Sequence, residues 1–173
     1  KTLKLLKDSY FLITLHRPET VDDPVKFKKL ILIFEKLGKK FNKRFIFPTH
    51  PRTKKMIKKM DINKLNFIEF IDPLEFLDFL SLMKNSKIVF TDSGGVQEET
   101  SLLGVPCITI RKSTERQLTI KEKTNILTGY DYNKICNAII YFNKNKIKAS
   151  KIFGDGNVAN KIFDKLKTIY KHN

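Results

Sequence analysis

The sequence has no tryptophan and only two cysteines among its 173 residues. Cys107 and Cys136 form no CxxC motif and show no Cys/His spacing typical of a metal site, which excludes a disulfide-stapled scaffold and a cysteine zinc site. No apolar run approaches the ~20 residues that cross a bilayer, and the N-terminus shows no signal-peptide core. These absences predict a soluble, cytoplasmic protein with two buried thiols and no membrane partner.

Acidic residues are scarce, since 18 Asp and Glu stand against 34 Lys and Arg and give a formal net charge of +16. The positive residues are nearly all Lys and are spread along the chain, which is typical of a solvated surface. A basic nucleic-acid-binding module is a less favoured alternative, because clustering on one face depends on the fold. The length suits a single domain over residues 1–173 or a large part of a two-domain protein.

Glycine is also infrequent, and two of the seven glycines stand side by side at Gly94 and Gly95. The apolar patterns around them predict a strand at 87–91, a glycine turn, a helix at 97–103 and a strand at 106–110. The first N–H groups of such a helix have no partner within it and attract anions. Ser93, Gly94 and Gly95 therefore form a candidate phosphate site.

The same residues also have an interpretation that involves no ligand. Glu98 and Glu99 lie in the first turn of the predicted helix, where acidic side chains stabilise a helix by about 0.3–1 kcal/mol. If one of these carboxylates instead accepted hydrogen bonds from ribose hydroxyls, the arrangement would bind a nucleoside diphosphate. We expect Asp92 to brace the glycine turn.

Three consecutive motifs in this stretch, TDSGGVQEE, LLGVP and RKSTER, resemble the signature of the non-hydrolysing UDP-N-acetylglucosamine 2-epimerases. In that family the Ser-Gly-Gly segment binds the diphosphate, the second Glu binds the ribose and the Arg of Thr-Glu-Arg reaches the phosphates. The resemblance therefore implies contacts to the diphosphate from Ser93, Gly94 and Gly95, to the ribose from Glu99, and to the phosphates from Arg116.

His16 directly follows a continuous apolar run at 10–15, which predicts a strand buried on both faces. Ligands of open α/β sheets lie beyond the carboxyl ends of the strands, so His16 is well placed to meet one. A lone histidine is more often structural. However, the segment LHRPET resembles a family segment that carries a functional histidine, with Thr20 where the family usually has Asn.

Two further residues are candidate substrate contacts. His50 follows a predicted strand at 45–47 and resembles part of the family's His-Pro segment, although Pro51 is equally explained as the start of a helix. Phe79 aligns with a family position that contacts uracil, and it lies off the apolar seam of its predicted helix, so it is a candidate for packing against the base.

Strand patterns alternate with amphipathic helix patterns along the chain, in about six βα units. This alternation predicts an α/β fold, a Rossmann-like doubly wound parallel sheet with right-handed crossovers. Three helix predictions are specific: Gly38 ends the first long helix, Pro73 begins a helix with Leu77 on its buried seam, and the last helix buries Ile162 and Phe163. We expect the ligand where the glycine turn and the His16 loop converge.

The resemblance covers nearly the whole chain but only the second, nucleotide-holding half of the family's protein, which has a glycosyltransferase-B-type arrangement of two domains. It implies an isomerase reaction in which UDP is eliminated from UDP-N-acetylglucosamine and adds back to give UDP-N-acetylmannosamine. No metal and no cofactor is implied. The carboxylates credited with proton transfer at carbon lie mainly in the family's N-terminal domain, which this sequence does not include.

Within this chain the resemblance makes His16 and Arg116 the candidates for polarising the departing phosphate, with His16 also a candidate for moving a proton. Gln117 and Leu118 replace the family's usual Pro and Glu after Thr-Glu-Arg. The implied partners are a UDP-sugar substrate, the N-terminal domain or a chain that carries it, and a second copy in a homodimer. We expect the chain alone to bind nucleotide without turnover; a related glycosyltransferase is the alternative enzyme class.

Overall fold

The computed structural model describes residues 5–60 and 65–170, and these contain six strands and eight helices, with at least one helix after every strand. The strands are β1 Tyr10–Thr14, β2 Arg44–Pro48, β3 Ile68–Ile71, β4 Ile88–Thr91, β5 Cys107–Thr109 and β6 Asn125–Leu127. The helices are α1 Pro18–Val21, α2 Pro24–Phe41, α3 Pro51–Lys59, α4 Phe76–Lys84, α5 Gly94–Leu103, α6 Gln117–Lys121, α7 Tyr132–Lys144 and α8 Val158–Tyr170.

The six strands are parallel and form one sheet in the order β3-β2-β1-β4-β5-β6. The order reverses between β1 and β4, which pair directly with Phe11 opposite Ile88 and Thr14 opposite Thr91. Such a reversal leaves a crevice at the carboxyl ends of the two strands, where doubly wound sheets bind their ligands. The predicted Rossmann-like fold is confirmed, and it brings the loops after β1 and β4 together.

Both faces of the sheet are covered, as the continuous apolar run of β1 predicts. Phe11 and Ile13 point into a core shared with α2 and α7, whereas Tyr10 and Leu12 point into a second core with Met83 of α4. In the first core the rings of Phe11, Phe34, Phe45 and Phe90 pack with centroid distances of 5.0 to 5.6 Å. These two cores hold the sheet rigidly beneath its carboxyl edge.

The prediction that Gly38 ends a helix is wrong, because α2 continues to Phe41 and ends at Asn42 in the left-handed conformation. A Cβ at position 38 would overlap Cβ of Phe67, at a separation that real side chains do not allow. Glycine is needed there for the close approach of the segment before β3, and a single glycine lowers the helix propensity without stopping the helix.

The predictions for the fourth helix are wrong at its start and at Leu77. The helix begins at Phe76 rather than at Pro73, and Leu77 is 75% exposed. The side that packs on the second core carries Phe79, Leu82 and Met83. A step of three residues drifts by about 60° around a helix of 3.6 residues per turn, so a strict three-residue pattern soon leaves the buried face.

The last helix, α8, differs from every other long helix of the fold. All of its residues are exposed, including Ile162 at 54% and Phe163 at 56%. The prediction that these residues are buried is wrong for the chain as the structure describes it. None of the helices in the described ranges is long and apolar enough to cross a bilayer.

Candidate functional site

The N-terminus of α5 lies at the carboxyl end of β4, in the crevice between β1 and β4. Ser93 is its N-cap, and Gly94 and Gly95 are its first two helical residues rather than a separate turn. The Ser93 N–H donates to Oγ1 of Thr91 at 3.0 Å, while the Ser93 hydroxyl caps none of the N–H groups of this helix. The first N–H groups of α5 have no acceptor within the helix, so these groups and the Ser93 hydroxyl are candidate donors for an anion at the crevice.

The two glycines serve different purposes. Neither adopts a positive φ. A Cβ at Gly94 would lie 2.8 Å from Oε1 of Glu115 and 3.6 Å from a guanidinium nitrogen of Arg116, so the absence of a side chain there allows a close approach. A Cβ at Gly95 would meet nothing within 4 Å. The helix start is therefore open to solvent at Gly95 and bordered by charged groups at Gly94.

Asp92 holds the loop after β1 rather than the glycine segment, which corrects our expectation for this residue. Its carboxylate has no exposed surface and accepts hydrogen bonds from the N–H groups of His16 at 3.2 Å and Arg17 at 3.0 Å. The Nδ1 atom of His16 lies 3.6 Å from the same carboxylate. Asp92 therefore fixes His16 at the crevice with the imidazole more than half exposed. The convergence of the His16 loop and the Ser93–Gly95 segment is as predicted.

An arginine pair borders the crevice beside Gly94. The side chain of Arg17 donates to the Asp92 carbonyl at 2.8 Å and lies 3.4 Å from Oε1 of Glu115. Arg111, just beyond β5, lies 2.9 Å from Oε2 of Glu115. Hydrogen bonds from its own backbone and from Arg111 lower the pKa of the Glu115 carboxyl. A carboxylate thus occupies the position between two guanidinium groups where a phosphate oxygen would be well bound.

Arg116 reaches the same helix start from the other side. Its Nε atom is in ion-pair contact with Oε1 of Glu98, although it is buried and donates no well-aligned hydrogen bond to the described residues. Glu98, which lies beyond the first turn of α5 and not within it as predicted, therefore balances the charge of Arg116. The guanidinium lies next to Gly94, as its predicted contact with phosphate requires.

Glu99 is the second acidic residue of α5 and the predicted ribose contact. Its side chain is half-buried, and burial together with the neighbouring charge of Glu98 raises the pKa of its carboxyl. It lies about one and a half turns beyond Gly94, at a distance that suits the ribose of a nucleotide whose phosphates meet Ser93. Its ribose contact stays a prediction.

The two remaining candidates lie further from the crevice. Phe79 is half-buried on α4 and packs against the second core, so its exposed part alone is available to a base. His50 is exposed at the carboxyl end of β2, one strand away from His16, and its carbonyl accepts from the N–H of Lys54. Both positions are at or near the correct edge of the sheet, and both contacts stay predictions.

A cleft of about 390 Å³ extends the positive edge beyond Arg111. Lys26 and Lys112 line it together with Tyr130, and the Nζ atom of Lys26 lies 4.4 Å from the centroid of the Tyr130 ring. Glu19 is its acidic lining residue. Within residues 5–60 and 65–170, no group of three or more His, Cys, Asp or Glu side chains could hold a metal ion.

Arg17, Arg111 and Glu115 are site residues to which the sequence assigned no role, although they lie within the segments LHRPET and RKSTER. Each follows a strand or lies in the segment after one, and the carboxyl ends of β1, β4 and β5 are neighbours in the sheet. A rule that collects charged residues directly after each predicted strand would have found Arg17 and Arg111. The Glu115 contact depends on the path of the loop, which no local pattern predicts.

Comparisons with known proteins point to one family. The family model described as UDP-N-acetylglucosamine 2-epimerase matches residues 1–167. A UDP-N-acetylglucosamine 2-epimerase of Methanococcus maripaludis is 41% identical over 168 residues, which are 92% of this chain and 46% of that protein. Another from Methanocaldococcus jannaschii is 40% identical and is covered to 44%.

Solved structures give the same result. The M. jannaschii UDP-GlcNAc 2-epimerase in complex with UDP-GlcNAc and UDP matches with a TM-score of 0.85 and 38% identity, over 94% of this chain and 46% of that one. The Neisseria meningitidis enzyme bound to UDP-GlcNAc matches with a TM-score of 0.79 and 29% identity, over 93% and 45% of the two chains. The chain spans about half the length of the relatives it matches, as expected for one half of a glycosyltransferase-B-type protein. The chain belongs to the UDP-N-acetylglucosamine 2-epimerase family.

Proposed function

We propose that this chain is the UDP-binding half of an enzyme that interconverts UDP-N-acetylglucosamine and UDP-N-acetylmannosamine. The observation that carries the proposal is the open start of α5 at Ser93–Gly95, which faces His16 across the crevice and is bordered by Arg116. Relatives solved with UDP-GlcNAc support the ligand class. The two buried free cysteines suit a reducing, cytoplasmic setting.

The nucleotide would run along α5. Its diphosphate meets the Ser93 hydroxyl and the first N–H groups of the helix, where the dipole and Arg116 both favour negative charge. Its ribose lies about one and a half turns further, at Glu99. The base extends towards α4, which packs beside α5 and carries Phe79. Along this path the diphosphate, the ribose and the base would each meet one of the predicted contact residues.

The chemistry requires two tasks, and this chain is equipped for one of them. Breaking the bond between sugar and diphosphate develops charge on the leaving phosphate, which Arg116, Arg17 and the start of α5 would stabilise. His16, held by Asp92, is placed to donate to the same group. Proton transfer at carbon needs a separate base. In the described site Asp92 is buried under its hydrogen bonds, Glu98 and Glu115 are paired with arginines, and Glu99 has the proposed contact with the ribose.

The base for carbon therefore belongs to the half of the protein that this chain does not cover. We propose that the chain binds the nucleotide but turns over nothing without a partner domain that supplies carboxylates. Because the sugar end of the ligand would face that domain, the identity of the sugar depends on both halves.

Calorimetric titration with UDP and with UDP-N-acetylglucosamine tests the proposal. We expect both ligands to bind. Arg116→Ala and Ser93→Ala should each weaken binding about tenfold, which is a typical effect of one lost charge-assisted contact. Gly94→Val should abolish binding because its side chain would occupy the phosphate position. Arg44→Ala is the matched control, since Arg44 is exposed, lies at the start of β2 and should not contact the ligand.

The outcomes separate the alternatives. Absence of binding by the wild-type chain rejects the proposal, and epimerisation by the chain alone rejects the division of labour between the halves. Transfer of the sugar to an acceptor, measured after addition of the other half, would favour a glycosyltransferase. Binding of RNA that weakens steeply with salt and survives Gly94→Val would favour a nucleic-acid module.

A further inference from the structure

A buried hydrogen-bond network lies directly beneath the candidate site. Gln97 has no exposed surface, although it belongs to the helix that forms the phosphate site. Its Nε2 donates to the Ser93 carbonyl at 3.1 Å. Its Oε1 accepts from Oγ1 of Thr114 at 2.7 Å and from Nδ2 of Asn125 at 3.0 Å. One side chain thus links the start of α5 to the segment after β5 and to β6.

The network continues to the backbone of Arg116 and holds it on both sides. The Arg116 N–H donates to Oγ1 of Thr114 at 3.1 Å, so this hydroxyl bridges Gln97 and Arg116. The Arg116 carbonyl accepts from Oγ1 of Thr119 at 2.7 Å. The same Thr119 hydroxyl accepts from Nδ2 of Asn125 at 3.0 Å. Gln97 and Asn125 are therefore each one hydroxyl away from the Arg116 peptide groups.

The side-chain oxygen of Asn125 completes the network. Its Oδ1 accepts from Oγ1 of Thr109 at 2.8 Å, and both Asn125 and Thr109 are at most 1% exposed. The side-chain amides of Gln97 and Asn125 thus both donate and accept. A fully satisfied buried polar network contributes a unique geometry more than net stability, because apolar side chains of similar volume would fill the same space without the desolvation cost.

The network lies between two segments whose relative position must be fixed if the Arg116 guanidinium is to meet the ligand. The guanidinium of Arg116 lies beside Gly94, yet the backbone of Arg116 belongs to a segment that leaves a different strand. A misplacement of about 1 Å in a charged contact can cost a large factor in binding or catalysis. The hydrogen bonds through Thr114 and Asn125 fix the distance between the two segments.

We propose that Gln97 is a positioning residue, which acts through Thr114 and Asn125 to hold the Arg116 backbone in register with Ser93–Gly95 so that the guanidinium meets the diphosphate. The proposal rests on the proposed function of the site. It assigns no ligand contact to Gln97. Its effect on binding must pass through the Arg116 side chain.

Two variants of Thr114 test this, since they differ only in the bridging hydroxyl. Thr114→Val removes the hydroxyl at nearly constant shape, whereas Thr114→Ser keeps it. In calorimetric titrations with UDP, Thr114→Val should weaken binding about tenfold, while Thr114→Ser stays within about twofold of wild type. In an Arg116→Ala background, which keeps the backbone N–H, Thr114→Val should cost less than about twofold. Gln97→Met should behave as Thr114→Val does in both backgrounds.

Amide hydrogen exchange of the ligand-free chain supplies a readout that does not depend on UDP. The Arg116 N–H should exchange about tenfold faster in Thr114→Val than in wild type, and Thr114→Ser should preserve its protection. Circular dichroism identifies any variant that fails to fold. If Gln97→Met does not fold, the comparison of Thr114→Val with Thr114→Ser decides.

Each outcome decides between the two proposals. If wild type binds UDP and Thr114→Val costs the same factor with and without the Arg116 side chain, the network is only structural and the positioning role is overturned. Unchanged protection of the Arg116 N–H in Thr114→Val overturns it as well. If wild type does not bind UDP, the proposed function fails first, and the positioning role fails with it.

Discussion

The carboxyl edge of the sheet and the helix α8 are opposite in character. At the edge, polar groups such as Asp92, Gln97 and Asn125 are buried, and each has its hydrogen-bond partners within the chain. On α8, apolar side chains such as Ile162 and Phe163 are about half exposed. These buried polar groups of the edge are paired, whereas the apolar side chains of α8 gain little free energy from burial.

The difference shows what each kind of pattern can specify. A buried polar group is costly unless it is paired, so its partners must be present in the fold that buries it. An apolar helix face only gains free energy when something covers it, and it costs little when nothing does. The hydrogen-bond partners of these buried groups are therefore present in this chain, whereas the apolar face of α8 stays about half exposed. The following experiments test that contrast.

The largest expected effect comes from a pair of identical substitutions. Ile139 on α7 has no exposed surface, whereas Ile162 on α8 is 54% exposed. Ile139→Ala should lower the free energy of unfolding by about 3 kcal/mol, because it removes buried methyl groups and leaves a cavity. Ile162→Ala should change it by less than about 0.5 kcal/mol. Urea unfolding measures both, and equal losses would show that α8 is packed in solution.

The next effect concerns the buried carboxylate of the edge. Asp92→Ala leaves the N–H groups of His16 and Arg17 without their acceptor, and we expect a loss of about 2 kcal/mol in the free energy of unfolding. Asp92→Asn keeps one acceptor oxygen and should lose less. Urea unfolding at pH 7 checks both. A neutral result for Asp92→Ala would mean that the loop after β1 finds other partners.

A smaller effect should appear in ligand binding. Glu115 lies between Arg17 and Arg111 and competes with a phosphate for them. Glu115→Gln should therefore strengthen UDP binding about fivefold, which is the range expected for a half-exposed ion pair. Glu69→Gln is the matched control, since Glu69 pairs with Arg44 away from the crevice. Weaker binding by Glu115→Gln would show that Glu115 orients the arginines instead of blocking them.

The smallest expected effect depends on pH. The folded-state pKa of Glu99 is raised above its ordinary value of 4.5, first by burial and then by Glu98. The folded chain therefore holds that proton more tightly, so this contribution to stability is full below pH 4.5 and is lost as the pH rises through the folded pKa.

Glu99→Gln should remove this pH dependence and raise the free energy of unfolding at pH 7. Because the side chain is only half buried, solvent screening should keep the gain below about 0.5 kcal/mol. Urea unfolding between pH 4 and pH 7 measures it, with Glu122→Gln at an exposed position as the control. The same variant should weaken UDP binding if Glu99 contacts the ribose. Lower stability of Glu99→Gln at pH 7 would contradict a raised pKa of the Glu99 carboxyl.

Sequence patterns predicted the fold and the convergence of the loops after β1 and β4. The apolar run of β1 and the glycine pair at the start of α5 each have a local cause, namely burial on both faces of the sheet and an open helix start. Parallel strands then bring their carboxyl ends to one edge, so His16 and Ser93 could be placed together without knowledge of the loops. The loops after β1 and β4 meet because these two parallel strands are neighbours in the sheet.

The errors have a common physical origin in contacts between distant segments. Gly38 lies within a helix, where the close approach of Phe67 requires a glycine. Asp92 accepts hydrogen bonds from the loop after β1 because that loop leaves the neighbouring strand. The Gln97 network links three segments and has no local signature beyond one glutamine. For α8 the helix was predicted correctly, but periodicity carries no information about what covers a face.

The pairing of β1 with β4 also affects how the site forms in time. His16 and Asp92 are 76 residues apart in sequence, and the chain between them forms β2, β3, β4 and the helices α1 to α4. Closing so long a loop is entropically expensive and is postponed until local structure has formed. We therefore expect the crevice to be among the last features to assemble on the folding pathway, so that nucleotide affinity appears only when the slowest phase of refolding is complete.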